Sequence, residues 1–355
     1  MNYLPQLTGL RGLAAWWIVF FHFREALPLS ADSFFYRLTA QGHLAVDFFF
    51  ILSGFIIFIN YGKSFGHFSK EALFEFLVKR LARIYPLHLF VLLLFLINPL
   101  AISTSSTVGI VGERYTPVDF FASLFLVQTW GGFNALSWNI PAWSISAEMG
   151  AYLTFPLLVA AINRLRPTLL PHLVAIGLLC MGVALLFKLN GYSSLGDGIS
   201  QIGLARCVME FAIGAVLGNF FLHNTADLPR YKQALFVFLL SFPLLAYYFH
   251  LPDYAFWPAL FAALVLFFAI PSAGASYLLG KGALFYLGEI SYSTYLIHYF
   301  IKDWVKFLST DVSWMQFVVY LVLVFACSVL LYRAVEVPGR KGLTRLLLKR
   351  RLNHA

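Results

Sequence analysis

Residues 45–60 read Ala45-Val-Asp-Phe-Phe-Phe-Ile-Leu-Ser-Gly-Phe-Ile-Ile-Phe-Ile-Asn60, an apolar run with a single carboxylate near its start. An amphipathic surface helix keeps a polar face at a period near 3.6 residues, and this run has none. Its side chains are apolar all round, so it is either buried on every side or faces lipid. The composition decides between the two. Of 355 residues, 60% are apolar and 18% aromatic, and only 12% are charged. Soluble domains carry roughly a quarter charged residues. Mean hydropathy is +0.78. Such a chain cannot cover itself with polar surface, which excludes soluble enzymes, disordered chains and secreted mini-proteins.

Similar runs recur at Gly12–Phe23, Ile84–Ile102, Trp143–Ile162, Leu170–Leu189, Leu204–Leu222, Gln233–His250, Ala255–Ile270, Leu284–Ile301 and Trp314–Arg333. Taken with a spanning length of about 20 residues, they predict an all-α polytopic membrane protein with about ten transmembrane helices. The run Asp119–Trp130 is too short to cross. Gly131, Gly132 and the polar stretch Asn134–Asn139 follow it, so a re-entrant or interfacial segment is expected. The first run keeps its aromatic bulk to Phe23 without a small-residue cleavage pattern, as a retained helix does. No polar stretch is long enough to fold separately. A single integral-membrane domain over 1–355 is expected, with a short basic interfacial tail from about 337 and no fused extracytoplasmic domain.

With the N-terminus inside and ten spans, most of the 25 lysines and arginines fall on the inner side, among them Lys63, Lys70, Lys79, Arg80 and Arg83. Counting Asp119–Trp130 as another span would put Arg340, Lys341, Arg345, Lys349, Arg350 and Arg351 outside, against the positive-inside rule. Both termini are therefore predicted to be cytoplasmic. The same clustering accounts for much of the net charge of +9 and favours anionic lipid headgroups, so no nucleic-acid partner is needed. Cys180, Cys207 and Cys327 lie inside apolar runs without metal-ligand spacing and read as packing residues.

An ionisable residue inside a span costs about 2.5–3.5 kcal/mol on insertion scales and is a functional candidate by default. Arg11 and His22 are eleven residues apart, which in a helix brings them to the same face about 16.5 Å apart. The competing reading is an orientation-setting arginine and an interfacial histidine. Asp47 enters from outside at a comparable depth, where a carboxylate could orient the His22 imidazole for general-base work or simply cap its helix. Glu148, in Trp143-Ser-Ile-Ser-Ala-Glu, brings a second carboxylate to that level, with a capping box around Ser144 or Ser146 as the alternative. Ser291, Tyr295 and His298 occupy i, i+4 and i+7 of one helical face, a stripe that leads towards the outer group or only glues helices together. Arg80 and Arg83 precede an apolar span as a pair suited to phosphate, whether of a metabolite or of lipid.

Cations at one end and a His/carboxylate cluster at the other suit an elongated anionic donor threaded between helices. No GxSxG elbow, HExxH motif, P-loop or spaced Cys/His set is present, and no metal is expected. Intramembrane His, Asp and Glu also build proton relays, which leaves a proton-coupled transporter or exporter as the alternative.

Six motifs in order resemble the membrane acyltransferase family 3, integral-membrane O-acyltransferases of bacterial surface carbohydrates. They are Leu10-Arg-Gly-Leu-Ala-Ala with His22, Val46-Asp-Phe-Phe-Phe-Ile-Leu-Ser-Gly-Phe, Lys79-Arg-Leu-Ala-Arg-Ile-Tyr-Pro, Trp143-Ser-Ile-Ser-Ala-Glu, Leu287-Gly-Glu-Ile-Ser-Tyr-Ser-Thr-Tyr-Leu-Ile-His and Glu336-Val-Pro. The resemblance implies a ten-helix fold in the bacterial inner membrane. It also implies acetyl-CoA or another short acyl-CoA as donor and a carbohydrate hydroxyl as acceptor. Arg11 and His22 match the family's functional pair, Arg80 and Arg83 its RxxR motif, Asp47 its second motif, and Glu148 and His298 polar positions in later ones. On that basis His22, Asp47, Glu148 and His298 are expected to be catalytic, and Arg11, Arg80, Arg83, Ser291 and Tyr295 to hold the donor. Ala45 stands where glycine is usual, and Gly150 and Ala151 stand where bulkier residues are common.

Overall fold

The computed structural model describes residues 4–27, 30–66, 69–105, 114–132, 135–309 and 313–352. Asn134 of the polar stretch and tail residues 353–355 lie outside them. Among the described residues there is no strand. The helices are α1 (Pro5–Phe23), α2 (Phe34–Ala40), α3 (Ala45–Tyr61), α4 (Lys70–Leu94), α5 (Ile97–Ser105), α6 (Pro117–Leu124), α7 (Trp143–Ile162) and α8 (Leu169–Leu189). They continue as α9 (Ile199–His223), α10 (Leu228–Tyr248), α11 (Asp253–Ala269), α12 (Ala273–Leu279), α13 (Gly282–Glu289), α14 (Ser291–Phe307), α15 (Trp314–Leu331) and α16 (Val337–Leu352). A π-helical turn, Tyr332–Glu336, joins the last two.

Every predicted span coincides with helix, but two of them are broken. The run Ile84–Ile102 begins inside α4, whose Ser69 hydroxyl caps the Ala72 amide, and breaks after Leu94 before α5 begins. The run Leu284–Ile301 breaks at Ile290, which makes Ser291 the first residue of α14. Among the described residues six helical segments are long and apolar enough to cross a membrane. A seventh does so if α11 and α12, bent by 101° at their break, form one span. The other predicted spans, in α1, α10 and the α13–α14 pair, are helical but do not belong to that set. Helix α6, which covers the start of Asp119–Trp130, is a single short helix of 8 residues. The chain then turns at Leu126 (φ +58°) and is tied to α7, with Ser146 Oγ donating to the Leu126 carbonyl at 2.8 Å. The expected non-spanning segment is therefore present.

Helix α9 sits at the centre, buried on nearly every face from Glu210 to Phe221. Helices α3, α7 and α8 pack around it. Helices α8, α10 and α15 turn Leu170, Leu178, Leu240, Leu244, Val318 and Leu330 outwards, the side chains a bilayer would cover. The α3–α9 contact is close because Gly214 has no side chain: a Cβ there would lie 1.8 Å from the Ile51 carbonyl oxygen. Gly288 plays the same part between α13 and α1, where a Cβ would meet the Thr8 carbonyl oxygen at 1.8 Å. The tail forms a helix as expected, and α16 docks on α4, with Gly339 against Pro86.

Because the obstacle at Gly214 is backbone, no rotamer change can relieve it. Gly214→Ala is expected to cost about 1–3 kcal/mol or more, read as an earlier thermal loss of monodisperse protein in detergent. Gly177→Ala, where a Cβ meets nothing within 4 Å, serves as the neutral control.

Candidate active site

A cavity of about 190 Å³ lies between α1, α3, α4, α7 and α14, lined by Arg11, Arg80, Arg83, Glu148, Ser291 and Tyr295 among others. It gathers all five residues expected to hold a donor. The remaining wall is largely apolar, with Phe49, Phe50, Ile56 and Ile145 facing the space.

The three guanidinium groups are held differently. Arg11 donates to the Ser291 hydroxyl at 3.0 Å, a partner available because the helix break places Ser291 at the start of α14. Arg80 donates to the Tyr61 hydroxyl at 3.2 Å and lies over the Tyr61 ring, 5.2 Å from its centre. Arg83 is paired with Glu336, whose other oxygen accepts from Ser293 Oγ at 2.6 Å. Among the described residues Arg11 and Arg80 form no salt bridge, so the cavity retains cationic character at that end. Glu336 was not singled out from the sequence as a site residue, although it begins the last motif. The π-helical turn before α16 is what aims it inward.

Glu148 departs from expectation. It was expected beside His22, but it lies in the cationic cavity, where one oxygen accepts from the Ser53 hydroxyl and from Tyr152 Oη at 2.6 Å. The helix register of α7 decides this, because Ser144, Glu148 and Tyr152 share the face turned to the cavity.

Asp47 departs as well. Its side chain is fully buried and bound to Arg206, whose Nε donates to it at 2.7 Å. Arg206 also donates to the Leu195 carbonyl, and Glu210 lies 3.8 Å away. This cluster braces α3 against α9 and is separate from His22. Arg206 and Glu210 were missed because Leu204–Leu222 reads as apolar overall. The cost of an intramembrane charge, which singled out His22, applies equally to both.

His22 and His298 are brought together, with ring centres 5.2 Å apart, and Tyr299 stands edge-on to His22 at 5.1 Å. Among the described residues no carboxylate is hydrogen-bonded to His22. His298 is buried, and its Nδ1 contacts the Thr294 carbonyl at 3.3 Å. A carbonyl can only accept, so Nδ1 carries the proton and the unpartnered Nε2 is left as a buried acceptor.

The path expected for an elongated donor between the cationic end and the histidine end is interrupted. The cavity ends at Tyr295, whose hydroxyl donates to the Pro141 carbonyl at 2.7 Å and lies 2.7 Å from Ser144 Oγ. The His298 ring, 6.0 Å from that of Tyr295, stands between it and His22.

The sequence matches the acyltransferase-domain family (Acyl_transf_3) over residues 4–333. The chain belongs to this family. It is 33% identical over 174 residues to the acyltransferase MdmB of Streptomyces mycarofaciens, covering 46% of this chain and 41% of that protein. It is 24% identical over 371 residues to the O-acetyltransferase OatA of Staphylococcus aureus, covering 96% of this chain and 58% of that one. A putative O-acetyltransferase of S. aureus is 26% identical over 376 residues, with the same coverage. The chain thus spans about half the length of the curated relatives it matches. No solved structure matches it. Family and fold together make this a multi-pass membrane protein of the acyltransferase-domain family.

Removing one member of a buried ion pair costs about 3–5 kcal/mol, whereas replacing both members is often neutral. Asp47→Leu and Arg206→Met are each expected to lose most folded protein by size-exclusion profile, and the double variant to recover much of it. Equal yields from all three would mean that the pair does not brace the fold.

Proposed function

We propose that this protein transfers an acetyl or other short acyl group from acyl-CoA to a hydroxyl of a carbohydrate or glycoside at the bacterial inner membrane, with both termini cytoplasmic. The observation that carries the donor is the convergence of Arg11, Arg80 and Arg83 on one cavity. Guanidinium groups bind phosphate oxygens in bidentate fashion. At about 190 Å³ the cavity is smaller than the roughly 300–1,000 Å³ of sites that enclose a drug-sized ligand. The pantetheine arm and acyl group would therefore occupy it, with the nucleotide at its cationic mouth.

The acyl group would travel along Phe49, Phe50 and Ile145 towards Tyr295. Reaching His22 requires Tyr295 to leave Pro141 and Ser144, two hydrogen bonds worth about 0.5–1.5 kcal/mol each. Neutral His22 would take the proton from an acceptor hydroxyl as its oxygen attacks the thioester carbonyl. Collapse of the tetrahedral intermediate breaks the C–S bond and releases CoA thiolate, and the imidazolium returns its proton to it. His298, its ring centre 5.2 Å from that of His22 and its Nε2 unpartnered, would share that proton. Asp47 is assigned to the brace with Arg206. Glu148, with Ser53 and Tyr152, is assigned to the donor cavity.

The test is CoA release and product mass with purified protein. His22→Ala is expected to lower kcat by about 10²–10⁴-fold, the usual contribution of a general base, with donor binding kept. Arg11→Ala is expected to raise the donor KM by about tenfold or more, the value of a hydrogen bond to a charged group. Turnover like the wild type in both variants would refute the assignment. Mass spectrometry of surface glycans from cells with and without the protein would identify the acceptor.

A further inference from the structure

A second cavity, of about 340 Å³, opens at the His22 end of the bundle between residues 98–102 of α5, the end of α14 and the chain at Arg114–Tyr115. Its polar groups hold one another in place. Arg114 donates to Asp303 at 2.7 Å, and the Trp304 indole N–H donates to Asn98 Oδ1 at 3.0 Å. Asn98 Nδ2 in turn donates to the Tyr115 hydroxyl at 3.0 Å, which keeps its own proton to give. Trp304, Tyr115 and Phe307 supply ring faces around this network, and Phe307 is 45% exposed. Arg114 lies 5.1 Å from the centre of the Tyr299 ring, and that ring stands 5.1 Å from His22. One aromatic ring therefore separates this cavity from the imidazole.

Aromatic faces beside fixed carboxylate, guanidinium and amide groups are the chemistry that recognises a sugar ring. The C–H face lies on the aromatic surface, and the hydroxyls both give and accept hydrogen bonds. A phosphate would instead ask for a cation free of carboxylate; Arg114 and the neighbouring Lys302 both pair with Asp303, and Lys306 is the other cation of the wall, so competition by inorganic phosphate is the discriminating measurement. We propose that this cavity is the acceptor subsite, seating a pyranose ring of a neutral glycoside against Trp304 and Phe307 with its hydroxyls on Asp303 and Arg114. The assignment rests on the acyl-transfer reading above, since it makes the occupant a substrate.

The full chain in lipid nanodiscs can be probed with the methyl glycosides of glucose, galactose, mannose and N-acetylglucosamine by saturation-transfer NMR. Acetyl-CoA binding is measured separately by calorimetry. At least one glycoside is expected to bind saturably and to lose about fivefold or more in affinity in Trp304→Ala and Phe307→Ala, with acetyl-CoA affinity within about twofold of wild type. Phe307 is exposed and makes no hydrogen bond through its side chain, so its variant keeps the test intact if Trp304→Ala does not fold. The subsite is overturned if none of the four glycosides binds saturably, if binding is unchanged in Phe307→Ala, or if inorganic phosphate competes with the glycoside. Failure of the wild type to bind acetyl-CoA would instead overturn the acyl-transfer reading and leave the glycoside result standing.

Discussion

Positive charge buried inside an apolar bundle is the constraint around which this molecule is arranged. A guanidinium group cannot be left bare among hydrocarbon, because its desolvation costs several kcal/mol unless it is paired or hydrogen-bonded. Each buried arginine is met in its own way, and the difference sorts structure from chemistry. Arg206 is enclosed by Asp47 and the Leu195 carbonyl, which fixes α3 on α9. Arg83 is held by Glu336, which ties α4 to the turn before α16. Among the described residues Arg11 and Arg80 are hydrogen-bonded to hydroxyls and form no salt bridge, which leaves their charge for whatever enters the cavity.

The helix breaks serve the same end. An unbroken helix through Ile290 would carry Ser291 in its interior. The break makes Ser291 the first residue of α14, facing Arg11 across the seam that Gly288 keeps narrow. From there α14 carries Tyr295, His298 and Tyr299 successively away from the cationic end, at the spacing of one helical face. Tyr295, bonded to the Pro141 carbonyl and beside Ser144, lines the cavity along that stripe, and the His298 ring lies beyond it towards His22.

The polar residues expected at the histidine end illustrate what one-dimensional depth can and cannot place. Helix period and depth put His22 and His298 near one another correctly, because both lie on helices whose direction follows from the order of spans. They put Asp47 and Glu148 at a similar level, but level does not specify azimuth. Asp47 faces α9 and Glu148 faces the cationic cavity, so neither carboxylate reaches the imidazole.

The amino-acid order alone determined that this chain is helical and lipid-embedded, where its helices run, that Asp119–Trp130 does not cross, and which six motifs go with its acyltransferase-domain family. Those properties follow from composition, run length and local spacing, which need no partner elsewhere in the chain. The tertiary structure alone decided that Asp47 belongs to Arg206, that Glu336 belongs to Arg83, that Glu148 shares the cavity with Arg11, and that Tyr295 closes it. Each of these joins helices distant in sequence, and the rotation of one helix about its axis relative to another is fixed only by side-chain packing at their contact.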